Sequence, residues 1–152
     1  MSRLFFKTTN SLRKLLSPSL NTPPQQHNRS GIYKLKCNDC NKFYIGKTGR
    51  TFITRFKEHT RAITHPNTHS TFAEHIINTN HTYTNIDNNL DILHFKHNSR
   101  KLDVLEQFEI YKNTKQQPHN ILNDQINFSS HILFDKIITH SNPPPPNNPT
   151  PH

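Results

Sequence analysis

The chain has 152 residues, a formal net charge of +9, 30% hydrophobic residues and no tryptophan. That composition supports one modest core rather than several, and the charge points to an anionic partner, nucleic acid or an acidic membrane surface. No stretch reaches the ~18 apolar residues of a membrane-spanning helix, and no membrane partner is expected beyond that surface charge. Cys37 and Cys40 do not form the disulfide framework of a secreted domain. The first twenty residues, MSRLFFKTTNSLRKLLSPSL, lack the continuous apolar region of a secretory signal. Containing Arg and Ser and free of acids, they also fit a mitochondrial presequence. The chain reads as intracellular.

Residues 1–29 carry five Lys/Arg and no acid and run into the polar linker NTPPQQHNRS. Gly31 to Lys36 is strand-like, Cys37 to Cys40 is turn chemistry, and Lys42 to Ile45 resumes a strand, which together predict a hairpin. Gly46 and Gly49, two of three glycines, punctuate its exit, where a special backbone conformation is expected. Thr51 is placed to cap a helix whose Phe52, Phe56, His59 and Ile63 share one face. A second helix is expected from Thr71, with Glu74 completing a capping box and Phe72 and Ile76 facing inward. Leu90 to Lys96 predicts a third strand. Ser99 to Tyr111 predicts a third helix, packed through Leu102, Leu105, Phe108 and Tyr111. Pro118 to Leu122 is expected to return to the sheet.

The fold class is therefore α/β of the α+β kind: a small, mostly antiparallel three-stranded sheet flanked by helices. The domain is expected over residues 30–128, followed by a short extension at 129–140. Residues 141–152 are proline-rich and uncharged, which predicts a disordered tail.

Two constellations carry chemistry. Leu102, Glu106 and Ile110 form one row along the third helix, so Glu106 sits on an apolar ridge. A carboxylate there is costly unless a cation or hydrogen-bond donors meet it. Cys37 and Cys40, at the hairpin tip, are half of a structural zinc site. His75 and His81 are the preferred remaining ligands, with His59, His65 and His69 competing for the role. Inert thiols or a redox pair are the other readings of the cysteines.

Gly31-Ile32-Tyr33 and Tyr44-Ile45-Gly46 fall on the two arms of one hairpin, and this conjunction resembles the signature of the GIY-YIG nuclease superfamily. Lys47 to Arg50, Arg55 with His59 four positions on, Leu105-Glu106 and Asn120 after Pro118 resemble it further, over about a hundred residues. The cysteines in CNDCNKFYIGKTGRTF look like those of nuclease domains joined to reverse transcriptases in Penelope-like retroelements. The upstream KTTNSLRKLL resembles the connector found there. No reverse transcriptase segment lies within these 152 residues.

The resemblance implies a DNA endonuclease that hydrolyses phosphodiester bonds with Mg²⁺ or Mn²⁺ held by Glu106. Tyr33 and Tyr44 would sit near the scissile phosphate, Arg55 would grip it, and His59 and Asn120 would assist. Residues 42–61 hold six Lys/Arg against one Glu, which makes Lys47, Arg50, Lys57 and Arg61 the expected nucleic-acid contacts. DNA is the expected partner, with a reverse transcriptase in the parent element, a nicking activity and a nuclear location. The alternative is a catalytically inactive, zinc-stabilised nucleic-acid-binding remnant.

Overall fold

The structure, a computed structural model, describes residues 26–65, 69–97, 99–123 and 131–141. The expected basic tail, most of its linker and the proline-rich tail lie outside the described residues.

Three strands form one antiparallel sheet: β1 (Gly31–Lys36), β2 (Phe43–Thr48) and β3 (Leu90–Phe95), in the order β2-β1-β3. The hairpin register pairs Tyr33 with Gly46 and Lys34 with Ile45. Alternation along β1 and β2 sends Tyr33, Leu35 and Tyr44 to one face and Ile32, Phe43 and Ile45 to the other. Helices α1 (Phe52–Thr64), α2 (Thr71–Thr79) and the single turn α3 (Ile86–Asn89) belong to the first face. Helices α4 (Ser99–Gln116) and α5 (His131–Ser141) cover the second. The result is three layers with the sheet in the middle.

Each face has its own core. Tyr33, Leu35, Phe52, Phe56, Phe72, Ile76 and Leu90 fill the first. Ile32, Phe43, Ile45, Leu102, Leu105, Phe108, Tyr111 and Phe134 fill the second. Large side chains buried this completely contribute ~1.5–3 kcal/mol apiece. A register shift between Ile32 and Tyr33 where they meet β3 lets Leu93 pack on the α4 side. Ile92 and Phe95 stay on the α1 side.

Thr51 caps α1 as expected, its hydroxyl accepting from the Thr54 backbone N–H at 3.1 Å. The second helix begins at Thr71, but its cap is Ser70, which accepts from the Ala73 N–H. The capping box built on Thr71 and Glu74 does not form. Ser70 has the extended backbone a cap needs and a second partner in His59, and Glu74 pairs with His69 at 2.9 Å instead.

β2 runs on through Gly46 and Lys47 to Thr48, so the two glycines do not mark its exit alike. Neither has a positive φ. Gly46 matters for space: a Cβ there would come within 2.5 Å of the Tyr33 hydroxyl. A Cβ at Gly49 would meet nothing within 4 Å. Gly31 is the glycine with a special conformation, at φ +155, and a Cβ there would strike the His94 carbonyl.

Residues 118–122 do return to the sheet, as a parallel bridge between Phe43 and Ile121. The helix expected over 99–111 continues to Gln116, since nothing before Pro118 breaks it. Gln26–Asn28 forms a short turn, and Arg29 stacks over Phe95 at 4.0 Å. Among the described residues no helix is long and apolar enough to cross a membrane.

Candidate functional site

The site begins at Tyr33, whose ring is fully buried and whose hydroxyl passes over Gly46. Two α1 side chains, one turn apart, converge on that hydroxyl. Arg55 donates through Nε at 3.1 Å, and His59 Nε2 lies at 2.8 Å. A guanidinium can only donate, so the phenol proton is left for His59 Nε2. The imidazole proton is thereby assigned to Nδ1, which donates to Ser70 Oγ at 2.7 Å. Tyr44 closes the group, with its ring centroid 5.6 Å from that of His59.

Burial sets the proton affinities. It raises the pKa of Tyr33 far above the usual phenol value, and the Arg55 cation only partly opposes this. Tyr44 is raised as well, by burial and then by the Glu106 charge. His59 is lowered to about 3 by burial and then by Arg55. The resting cluster is thus a protonated phenol bonded to a neutral imidazole. Burial works against the charge on Arg55, but Tyr33 and Glu58 more than offset it, and its pKa is raised.

Arg55 and Arg50 share one carboxylate. Glu58 meets Arg50 at 2.6 and 2.9 Å and Arg55 at 2.9 Å. A cleft of about 230 Å³ opens beside them, with Lys47, Arg50, Arg55 and Asp103 among its lining residues. Lys47 lies 2.7 Å from Asp103 and 2.8 Å from Glu106. Burial disfavours its charge, but the two carboxylates prevail and its pKa is raised. Glu106 keeps 18% of its side chain exposed, between the buried Leu102 and Ile110 of its ridge. The cation that its position demands is Lys47.

The structure therefore brings Tyr33, Tyr44, Arg55 and His59 into one cluster, with Glu106 within electrostatic reach. It does not bring in the Asn120 side chain, which meets Gln117 at 3.4 Å. Asn120 serves through its carbonyl, which accepts from the Phe43 N–H at 2.8 Å. Asn123 makes the side-chain contacts: it accepts from the Ile45 N–H at 3.0 Å and donates to the Ile45 carbonyl at 2.8 Å. Lys57 and Arg61 are exposed on α1 and are not among the cleft-lining residues.

A second group stands at the hairpin tip. One donor atom from each of Cys37, Cys40, His75 and His81 lies within 4.8 Å of all the others. Cys37 Sγ is 3.3 Å from His81 Nδ1, and Cys40 Sγ is 3.4 Å from His75 Nε2. Tetrahedral zinc with its usual bond lengths sets sulfur–nitrogen edges of about 3.6 Å. The group could hold a metal such as zinc.

Local structure explains the convergence. His75 projects from α2. Asn80 ends that helix in the left-handed conformation at φ 53, and the His81 N–H bonds back to the Ile76 carbonyl. The chain reversal returns His81 beside His75, with ring centroids 5.3 Å apart. Asp39 accepts from the Thr82 hydroxyl at 2.8 Å and tightens the same junction. Burial raises the Cys37 pKa and lowers that of His75. The competing ligands are engaged elsewhere: His59 with Tyr33 and Ser70, His69 with Glu74 and His65 with Thr64.

Sequence reasoning missed Ser70, Glu58, Asp103 and Asn123. Glu58 had a signal, as the lone acid among six cations and three residues from Arg55. Asp103 stands three before Glu106, on the same helix face. Ser70 and Asn123 act on residues far away in sequence, and nothing local announces that.

Comparison with protein families, curated proteins and solved structures returns no match.

Proposed function

We propose that this chain is a metal-dependent DNA endonuclease of the GIY-YIG type, a nicking activity of retroelement derivation. The observation that carries the reading is the hydrogen-bonded chain Arg55–Tyr33–His59–Ser70, set beside a cation-lined cleft with Glu106 within electrostatic reach. Zinc in the Cys37/Cys40/His75/His81 group would hold α2 to the hairpin tip, and α2 carries the Ser70 that orients His59. The metal group is structural in this reading, two steps removed from the chemistry.

Phosphodiester hydrolysis needs a positioned water, a relief for its proton, and charge stabilisation of the phosphorane. Arg50 and Arg55 grip the phosphate in place of the Glu58 carboxylate that they share at rest. Tyr33 Oη keeps one lone pair that Arg55 does not use, but the hydroxyl is buried, so in this reading the attacking water reaches it only when the cleft opens toward Gly46. As the water attacks phosphorus and the bond from phosphorus to the leaving oxygen breaks, the water proton passes to Tyr33 Oη, the phenol proton moves to His59 Nε2, and the leaving alkoxide takes a proton from solvent. The negative charge growing on the phosphorane makes His59 a better proton acceptor than it is at rest. Tyr44 walls the site and limits access of bulk water.

Glu106 fits a hard divalent ion through its oxygen donors, being partly exposed and already meeting the cleft-lining Lys47. Such an ion, when bound, supplies Lewis-acid stabilisation of the phosphoryl oxygen and the leaving group. Purified protein with supercoiled plasmid and Mg²⁺ or Mn²⁺ tests the reading. Nicking is expected, with a loss of at least ~100-fold in Glu106→Ala. No nicking by the wild type, or equal nicking by the variant, refutes it.

A zinc-stabilised module that binds nucleic acid without cutting it is the second reading. It is favoured by one observation, the occupation of Glu106 by Lys47. It predicts salt-sensitive retention of DNA in a filter-binding titration and no cleavage in the plasmid assay.

A further inference from the structure

Lys47 is the one residue of the cleft whose partners are both carboxylates of α4. Its ammonium is seated between Asp103 and Glu106, at 2.7 and 2.8 Å. Those are ordinary ammonium–carboxylate distances, longer than the ~2.0–2.1 Å bonds of Mg²⁺, and they show that one cation can meet both carboxylates at once. Asp103 and Glu106 are three residues apart on one helix face, so both can address the same cation. Lys47 belongs to β2, on the opposite wall, and its side chain is 41% exposed. That exposure gives the ammonium a solvent-facing side toward which it can turn.

We propose that Lys47 is a built-in occupant of the divalent-cation position, and that the ion binds by displacing it. Asp103 then becomes a second carboxylate ligand beside Glu106. The released ammonium turns into the cleft it already lines, alongside Arg50 and Arg55, where a substrate phosphate would lie. One ammonium leaves the carboxylate pair with a net negative charge, whereas a divalent ion neutralises it. Exchange of one for the other therefore makes the cleft more positive when the metal arrives. Metal and phosphate binding are coupled in consequence, each favouring the other by the same factor.

This inference rests on the nuclease reading for the identity of the Glu106 site, but its test does not depend on cleavage. Mn²⁺ binding to the zinc-loaded full chain is followed by electron paramagnetic resonance, without DNA. Lys47→Met removes the competing cation at an exposed position and is expected to tighten Mn²⁺ binding about tenfold, within the usual span of such couplings. Lys47→Arg keeps the cation and should stay within about threefold of the wild type. Asp103→Asn should weaken binding, and Glu106→Gln should abolish it. Unchanged or weaker binding by Lys47→Met overturns the displacement, and wild-type affinity in Asp103→Asn overturns the second ligand. A wild type that nicks plasmid beside an unresponsive Lys47→Met refutes this inference and leaves the nuclease reading standing. Tighter Mn²⁺ binding in a protein that never nicks does the reverse.

Discussion

The two faces of the sheet are built by different means. Against α4 and α5 the core is mainly apolar, closed by Phe43, Ile45, Leu105, Phe108 and Phe134, with a buried polar group of His94, Glu109 and Asn113 in which His94 meets Glu109 at 2.8 Å. Against α1 and α2 the core contains a hydroxyl, an imidazole and a serine bonded in series, with a guanidinium at its edge. Among the described residues no buried side-chain nitrogen or oxygen is left without a partner. Burying such a chain contributes less than burying hydrocarbon, and a broken link costs ~1–3 kcal/mol. The polar face is also the one that carries the Cys/His group. One face is mainly apolar, whereas the other carries the buried polar chain and a Cys/His group that could hold a metal.

If the division is real, the faces can be damaged separately. The largest effect is expected on the apolar side. Phe134→Ala should cost ~3–5 kcal/mol, the usual range for a buried Phe. It should shift the urea midpoint strongly while leaving metal content and resting site geometry unchanged. Loss of bound metal together with stability would show that the faces are not independent.

Next comes metal removal on the polar side. An ion present at 100 times its Kd adds ~2.7 kcal/mol, so Cys40→Ser should lower Tm by about 11–22 °C. Because α2 carries Ser70, the same change should release His59. A shift in the His59 imidazole NMR signals measures that, and unchanged signals would separate the clip from the site.

A smaller effect concerns acid. The His59 pKa in the fold, about 3, lies below the ordinary 6.5, so the unfolded chain binds the proton first. Its contribution is complete above about pH 6.5 and is lost as the pH falls toward 3. Between pH 7 and 5 the loss is about 2 kcal/mol. Urea denaturation at both pH values should show His59→Gln losing that much less than the wild type, and equal losses would contradict the assigned burial.

Much of this was legible in the sequence where the signal is local. The hairpin, α1 and β3 follow from alternation and helical spacing. Cys37-x2-Cys40 with His75 and His81 could be picked out because turn and helix spacings bring such pairs together by themselves. Other features depend on contacts that spacing does not encode. The α5 helix has few periodic cues, yet Phe134 completes a core. The α3 turn is too short to show a period. It is held by Asn85 at its cap and by Asn89, which donates to the Lys36 carbonyl at 2.8 Å. The apolar ridge announced that Glu106 needs a cation, but not that Lys47 provides one.

Tyr33→Phe tests the central claim most directly. The ring keeps filling the same buried space, and only the hydroxyl that joins Arg55 to His59 is lost. Single-turnover cleavage of a labelled duplex with Mg²⁺ should fall by about 10²–10⁴, the range for a positioned proton-transfer group. Filter-binding affinity for the duplex should stay within a few-fold of wild type. Cleavage at the wild-type rate would mean that Tyr33 is an ordinary core aromatic and that the hydrogen-bonded chain around it does no chemistry.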